Sequence, residues 1–326
     1  MNDPILVIPL CGVGKRFKKV GYKRHKALLT IDKHNMLERI IGKFPERTHT
    51  YIITNLSIKK ELELDKQLNK KNKLSKISFI IIDEHSLGPA YSIFKGFNSI
   101  PKGQPTYISY CDITWSWADK KFNLLTNDIS AAIFCHYGFH PHLINNNYSA
   151  FCLPSKKDET ILAEIMEKNS YTKNWMNEPL SIGLFYVKDI AILEHPLNKL
   201  IQSNQKIANE FFPSVLFNYL VKDKVKVNLI RVKNFVHYGT PLQFIDFKKW
   251  ISFFQNYKKK IYFDYLLPAI ILTSGKGSRM REISQLPKPL IYIDSKCLIE
   301  KVIESMPINN SKISLIFNSL SIPLSF

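Results

Sequence analysis

The chain has 326 residues, 45% of them hydrophobic, enough to bury a substantial core and to build one large domain or two ordinary ones. Its formal net charge of +19 suits polyanions, acidic membranes or phosphorylated substrates and does not choose among them. Five cysteines, Cys11, Cys111, Cys135, Cys152 and Cys297, form no CxxC pair, which argues against a disulfide framework or a structural zinc and for a reducing compartment.

Asp3 and Pro4 precede only a short apolar run, unlike the basic start and longer core of a signal peptide. No apolar stretch approaches the roughly 18 residues that a membrane helix needs. A soluble, cytoplasmic protein without a membrane span is therefore expected. The lysine pairs Lys59-Lys60 and Lys70-Lys71 and the run 258–260 read as solvated helix faces or a linker. No RNA-binding aromatic motif or zinc-finger spacing accompanies them, so no specific nucleic-acid partner is expected.

In chain order, apolar runs of strand length occur at Ile5–Leu10, Tyr51–Thr54, Phe79–Ile82, Tyr107–Tyr110 and Ala131–Cys135, separated by segments with helical spacing. This alternation predicts βαβ units and a mostly parallel sheet, with motifs at the strand ends gathered on one ligand-binding edge. The Asn-rich turn at 145–147 and the stretch Leu153–Lys157 interrupt the pattern. Leu184–Val187 then reads as a strand, Ala208–Val221 as a helix, Val225–Ile230 as a strand, and the segment from Gly239-Thr-Pro241 through Phe254 as a helix. A charged, aromatic stretch, Lys258–Asp264, places a boundary near residue 260.

Beyond that boundary the opening of the chain is written again. Ile5–Leu10 leads into Gly12-x-Gly14-x-Arg16-Phe17 and Lys26-Ala-Leu-Leu29; Ala269–Leu272 leads into Gly275-x-Gly277-x-Arg279-Met280 and Lys288-Pro-Leu-Ile291. Met36-Leu-Glu-Arg-Ile-Ile41 is echoed by Leu298-Ile-Glu-Lys-Val-Ile303, and Tyr51–Asn55 by Leu315–Asn318. Two glycines after a strand let backbone N–H groups close on an anion, and Arg and Lys neutralise it, so the repeated element points to phosphate binding. A Rossmann loop would need a third glycine where Phe17 stands, and a Walker loop would need Gly-Lys-Ser or Gly-Lys-Thr. Arg16 and Lys26, ten residues apart, fit a long basic loop around a nucleoside triphosphate.

These residues make residues 1–258 resemble the sugar-phosphate nucleotidyltransferases, or nucleoside-diphosphate-sugar pyrophosphorylases. That family shares a GxGxRF loop followed by a lysine, usually in Pro-Lys-Pro-Leu. The first copy carries Arg24-His25-Lys26-Ala27-Leu28 without the prolines; the second keeps Pro287-Lys288-Pro289-Leu290. Leu87-Gly88-Pro89-Ala90 resembles the family's turn near the nucleobase, Tyr110-Cys111-Asp112 its strand-end metal aspartate, and Glu167-Lys168 its sugar-phosphate pair. Ser181-Ile182-Gly183 resembles the Asn-Ala-Gly turn, and Tyr238-Gly239-Thr240-Pro241 the late Gly-Thr-Pro element. Gly138-Phe-His-Pro-His142, with Tyr171-Thr-Lys-Asn174 and Met176-Asn-Glu178, resembles a capsule and surface-polysaccharide subgroup in which two such units occur in tandem.

The resemblance implies a Rossmann-like α/β fold of the GT-A-like nucleotidyltransferase type, with residues 259–326 a truncated second copy. It implies a Mg²⁺-dependent transfer of a nucleoside monophosphate from an NTP to a sugar 1-phosphate or related phosphorylated alcohol, with release of pyrophosphate. Leu10, Gly12, Gly14, Gly88, Pro89 and Ala90 would bind the nucleotide. Arg16 and Lys26 would neutralise the triphosphate, Asp112 would anchor Mg²⁺, and Lys168 would steer the attacking phosphate. Glu167, Glu178 and Gly183 would bind the acceptor, with His140 lining that pocket.

Each residue also has a plainer reading: Asp112 as a helix or turn cap, Lys168 as a solvated helix end, Trp115, Trp117 and Trp175 as core or rim packing. His140 and His142, with His136 nearby, lack a third ligand of convincing zinc spacing. One departure stands out. His237 occupies the position, two residues before the late glycine, where many relatives place a second metal-binding Asp, and a hard Mg²⁺ ion prefers oxygen. That keeps open the alternative of a catalytically impaired nucleotide-binding regulatory or assembly protein. The oligomeric state is open as well, a homo-oligomer included. The counterparts of Asp112 and Lys168 in the second copy fall outside the sequence, so a complete second active site is not expected there.

Overall fold

The computed structural model describes residues 3–12, 14–64, 77–117, 129–140, 149–258, 269–273, 275, 278–280, 284, 286–305 and 313–316. The turn at 145–147, His142, Lys70-Lys71, Gly277 and most of the stretch 258–264 lie outside them. The chain divides into two compact units, Met1–Ser252 and Phe253–Phe326.

The first unit opens on β1 (Ile5–Pro9), whose side chains alternate between two cores: Ile5 and Val7 face one, Leu6 and Ile8 the other. A strand buried on both faces reads as a continuous apolar run, which is why this one was legible. After the glycine loop come a short helix, Lys15–Lys19, and a small hairpin of β2 (Thr30–Ile31) and β3 (His34–Asn35). The helix Met36–Ile41 follows, closed by a reciprocal cap in which Asn35 accepts from Glu38 N–H and Glu38 from Asn35 N–H. β4 (His49–Thr54), the helix Leu56–Glu63, β5 (Ile77–Ile81), the helix Pro89–Gly96 and β6 (Thr106–Ser109) complete a parallel half with order β5-β4-β1-β6.

The other half is mixed rather than mostly parallel. β7 (Ile113–Ser116) leaves the sheet, and β8 (Ala131–His136), β9 (Ala150–Ser155), β10 (Asp158–Glu167) and β11 (Leu180–Val187) follow. β11 runs antiparallel to β6, β8 and β9, and β9 and β10 form a hairpin across Lys156-Lys157. The physical reason is connection length: a two-residue turn can join only antiparallel strands, whereas parallel neighbours need a crossover. The Leu153–Lys157 interruption is thus the end of β9 and its turn, and β10 replaces the helix end expected at Lys168. The helices Glu194–Ser203 and Pro213–Lys222 cover one face. The second begins at Pro213, not Ala208, because Ala208 and Asn209 adopt positive φ (48° and 66°) and proline suits a first helical turn. β12 (Val227–Arg231) lies parallel to β8, β13 (Lys233–His237) pairs antiparallel with β7, and the helix Pro241–Lys258 follows.

A third, small core of Phe17, Leu29, Ile31, Met36, Tyr238 and Phe244 lies beneath the glycine loop. Phe17 meets Tyr22 and Phe244 edge-on at 5.5 and 5.8 Å, so this aromatic anchors a loop that is otherwise basic and exposed.

The second unit contains β14 (Ala269–Leu272) paired in parallel with β17 (Ile313–Ile316), a hairpin of β15 (Tyr292–Ile293) and β16 (Lys296–Cys297), and the helix Leu298–Ser305.

Candidate active site

The carboxyl ends of β1, β6 and β10, the amino-terminal part of β11 and the start of the helix Pro89–Gly96 surround a cleft of about 910 Å³. Eleven of the sequence-expected residues line it: Leu10, Gly12, Gly14, Arg16, Lys26, Gly88, Pro89, Asp112, Glu167, Lys168 and Gly183. Sheet-edge convergence of this kind is what strand-end motifs predict.

On the glycine-loop side, Thr54 Oγ1 donates to Leu10 O at 2.9 Å and Leu10 N to Ile53 O at 2.8 Å, fixing the turn out of β1. Gly14 sits at φ 67° as the cap of the helix Lys15–Lys19, a conformation that favours glycine. His25, where the second glycine-loop segment carries Pro287, ties the loop down. Its Nδ1 accepts from Ala27 N at 3.2 Å, leaving Nε2–H to donate to Gly12 O at 2.9 Å, while its own N–H donates to Glu61 Oε1 at 2.6 Å. Burial foremost lowers the pKa of His25, consistent with this neutral tautomer. Arg16 lies exposed on the rim.

Across the cleft, Lys26 Nζ meets Asp112 Oδ2 at 2.7 Å, the side chains 25% and 11% exposed. Burial by itself would raise the Asp112 pKa, but the Lys26 ammonium outweighs it, with help from His237, and brings it down to about 2. Burial likewise disfavours charge on Lys26, and the Asp112 carboxylate overcomes it to raise the lysine's pKa. Asp112 therefore stays ionised and engages a cation.

His237 arrives beside Asp112 through the β7–β13 pair. His237 is in register with Ile113, Tyr238 N donates to Asp112 O at 3.0 Å and Tyr238 Oη to Ile113 O at 2.8 Å. A Cβ placed on Gly239 would lie 2.6 Å from both Asp112 Oδ2 and His237 Nε2, so the missing side chain keeps open the space between a carboxylate and an imidazole. Among the described residues no group of three or more His, Cys, Asp or Glu side chains gathers as a metal cluster. Asp112 and His237 are the side chains beside this space that could reach a divalent ion.

At the far end, Glu167 accepts from Ser214 Oγ at 2.5 Å, and burial, partly offset by that bond, raises its carboxyl pKa. Lys168, at φ 56° just past β10, places its ammonium 4.7 Å from the centre of the Phe212 ring. Gly183, at φ 82°, is required by contact: a Cβ there would come within 2.4 Å of the Tyr110 ring. Gly88, at φ 91°, is tight as well: a Cβ there would come within 2.7 Å of Phe211 O.

Three expected residues lie outside the cleft lining. Ala90 is fully buried in its helix, its N–H given to Phe211 O at 3.0 Å. Glu178 accepts from Tyr171 N, Thr172 N and Thr172 Oγ1, holding a surface turn together. His140 is buried at 3% exposure with Nε2 3.2 Å from Phe235 O. Trp115 and Trp117 pack on Phe44 in the core, and Trp175 on Phe151. Ser214, Phe212, Glu210 and His85 were not anticipated in the cleft; Pro213, as a helix start directed at the cleft, was the available signal for the first two. His85 is set by Leu87 N on Nδ1 at 3.1 Å and Ser92 Oγ at 3.0 Å from Nε2.

No protein-family model matches the sequence, and no curated protein does. Solved structures do. A nucleoside-diphosphate-sugar pyrophosphorylase from Vibrio cholerae RC9 superposes with a TM-score of 0.59 at 16% identity, over 75% of this chain and 99% of that one. A UDP-glucose pyrophosphorylase complexed with UDP-glucose gives 0.60 at 15%, over 79% and 100%. The inositol-1-phosphate CTP transferase of T. maritima gives 0.53 at 12%, over 76% and 96%. The fold is thus a mixed α/β architecture around a large sheet, similar to the folds of these enzymes. Among the described residues no helix is long and apolar enough to cross a membrane.

Proposed function

We propose that the chain is a nucleotidyltransferase that joins a nucleoside monophosphate to a sugar 1-phosphate or related phosphorylated alcohol, serving the synthesis of capsule or surface-polysaccharide precursors in the cytoplasm. The observation that carries this reading is the Lys26–Asp112 pair in a cleft floored by a glycine loop and rimmed by Arg16. The similarity of fold to pyrophosphorylases adds support.

In the reaction a phosphate oxygen of the acceptor forms a bond to the α-phosphorus of the NTP while the bond to the β-phosphate oxygen breaks and pyrophosphate leaves. Such a transfer needs positioning and charge neutralisation more than covalent help. The glycine loop offers backbone N–H groups, Arg16 and Lys26 neutralise the triphosphate, and Lys168 holds the acceptor phosphate in line. Glu167, kept in place by Ser214, receives acceptor hydroxyls. A divalent ion, with Mg²⁺ the family's expectation, would be held by Asp112 with His237 beside it. When bound it supplies further neutralisation of the charge on the phosphates. The segment 259–326 is read as a truncated second unit of the same kind.

The test is pyrophosphate release with each common NTP against a panel of sugar 1-phosphates and polyol phosphates. Release confined to one pair, and lost in Asp112→Asn, supports the reading. Nucleotide bound without release across the panel favours a binding protein instead, a reading to which His237 lends weight.

A further inference from the structure

Outside the cleft, two segments that are basic and apolar at once come together. From Lys15 to Lys26 the chain carries seven Lys and Arg side chains and no Asp or Glu. Lys15, Arg16 and Lys26 line the cleft, whereas Lys18, Lys19 and Lys23 are exposed and do not. Val20, set among them, is 59% exposed. Phe17 and Tyr22 both meet Phe244 edge-on, each at 5.8 Å, so the basic segment rests on the helix Pro241–Lys258. That helix turns Phe244, Phe247 and Ile251 to the small core. By helical spacing Leu242, Ile245 and Trp250 fall on its other side, where they are 78%, 41% and 53% exposed. Lys248 and Lys249 are exposed beside them, Lys248 with its ammonium 5.4 Å from the centre of the Phe244 ring, and Asp246 is the helix's acidic residue.

Charge alone would serve to steer phosphorylated substrates into the cleft. It gives no reason for aliphatic side chains to stand in water among the lysines. One exposed apolar residue is ordinary, but several on one face, rimmed by ammonium groups, mark an interaction surface. A nucleic acid takes lysines at its phosphates and aromatic rings at its bases, and offers nothing to Val20, Leu242 and Ile245. An anionic bilayer suits every member of the set. Lysines sit near its headgroups, aliphatic side chains enter the boundary between headgroups and acyl chains, and tryptophan favours the same depth.

We infer that residues 18–23 and the outward side of the helix Pro241–Lys258 dock the protein on the surface of an anionic lipid bilayer. Contact is by side chains at the interface, since among the described residues no helix is long and apolar enough to cross. The inference does not depend on the nucleotidyltransferase reading.

The experiment sediments the full chain with phosphatidylcholine vesicles, with and without phosphatidylglycerol. Binding is expected only where phosphatidylglycerol is present, and it should weaken as salt is raised. Lys18→Gln, Lys19→Gln and Lys23→Gln together should weaken it about 10²-fold, at about fivefold for each lysine near an anionic surface. Leu242→Ser with Ile245→Ser should weaken it about tenfold and leave its salt dependence unchanged, because the loss is of apolar insertion. Tryptophan emission should shift to the blue on the anionic vesicles, a shift lost in Trp250→Phe. The basic and apolar sets are altered in separate chains, with thermal melting to confirm each fold, so one set serves if the other does not fold. No binding to either vesicle, equal binding to both, or binding that the Leu242 and Ile245 substitutions leave unchanged overturns the inference. The last result, with poly(U) displacing the vesicles, assigns the surface to nucleic acid instead.

Discussion

His25 and Pro287 stand at the same place in the two glycine-loop segments, and their backbones agree: φ −57° and ψ 141° at His25, φ −53° and ψ 139° at Pro287. Each precedes a single turn of 3₁₀ helix, Lys26–Leu28 or Lys288–Leu290, and then a two-residue hairpin whose turn holds an Asp at positive φ, Asp32 at 57° and Asp294 at 59°. The surroundings differ. Lys26 is ion-paired and Ile31 fully buried in the first unit. In the second, Lys288 is exposed, Tyr292 is 64% exposed, and the carboxylates of Asp294 and Glu304 pair with Lys301 and Lys296. Local sequence suffices for the loop's shape, but a charged site is made only where distant strands bring a partner to it.

Separating the two lysines is the sharpest way to break that comparison. Asp112→Asn removes the charge that Lys26 faces and is expected to lower pyrophosphate release by about 10²–10³-fold, the scale of losing one preorganised electrostatic contact. Lys26→Met should cost about 10²-fold on the same grounds, whereas Lys288→Met should leave turnover within about twofold, because an exposed charge contributes little. Comparable losses from both lysines, in steady-state assays, would mean that the second loop serves the reaction too.

Stability measurements sharpen the picture. Gly183→Ala combines a positive φ with the Tyr110 contact and is expected to cost about 2–3 kcal/mol in chemical denaturation. Gly275→Ala, with open space around the added methyl, should stay within about 0.5 kcal/mol. His25→Pro fits the backbone but loses the bonds to Glu61, Gly12 and Ala27, so it should destabilise by about 1–2 kcal/mol; Pro287→His should be nearly neutral.

The smallest effect concerns pH. The His25 pKa lies below its ordinary 6.5 in the folded state, so the unfolded chain takes up the proton first. Its contribution to stability is present above 6.5 and lost as pH falls below that value. His25→Asn should flatten that part of the stability curve between pH 7 and 5, and an unchanged slope would assign it to other histidines.

How much of this was legible follows from what each feature depends on. β1, the glycine loop and Lys26 could be read because an apolar run buried on both faces and a glycine turn are local patterns. Glu167 and Lys168 were found by motif, but their setting was not. β10 alternates irregularly around shifts in its pairing, and a strand with such breaks does not announce its period. Glu178 and His140 have the chemistry of acceptor ligands and yet are committed to Thr172 and Phe235, partners that no spacing in the sequence reveals.

The sequence by itself determined the loop, its repetition, its basic character and the strand-end aspartate, because these rest on residue type and short-range backbone preference. Only the tertiary structure decided that the sheet is mixed, that Asp112 meets a lysine 86 positions away and that His237 stands beside it. Those outcomes depend on strand order and register, which arise from burying two cores at once across the whole chain rather than from any one segment.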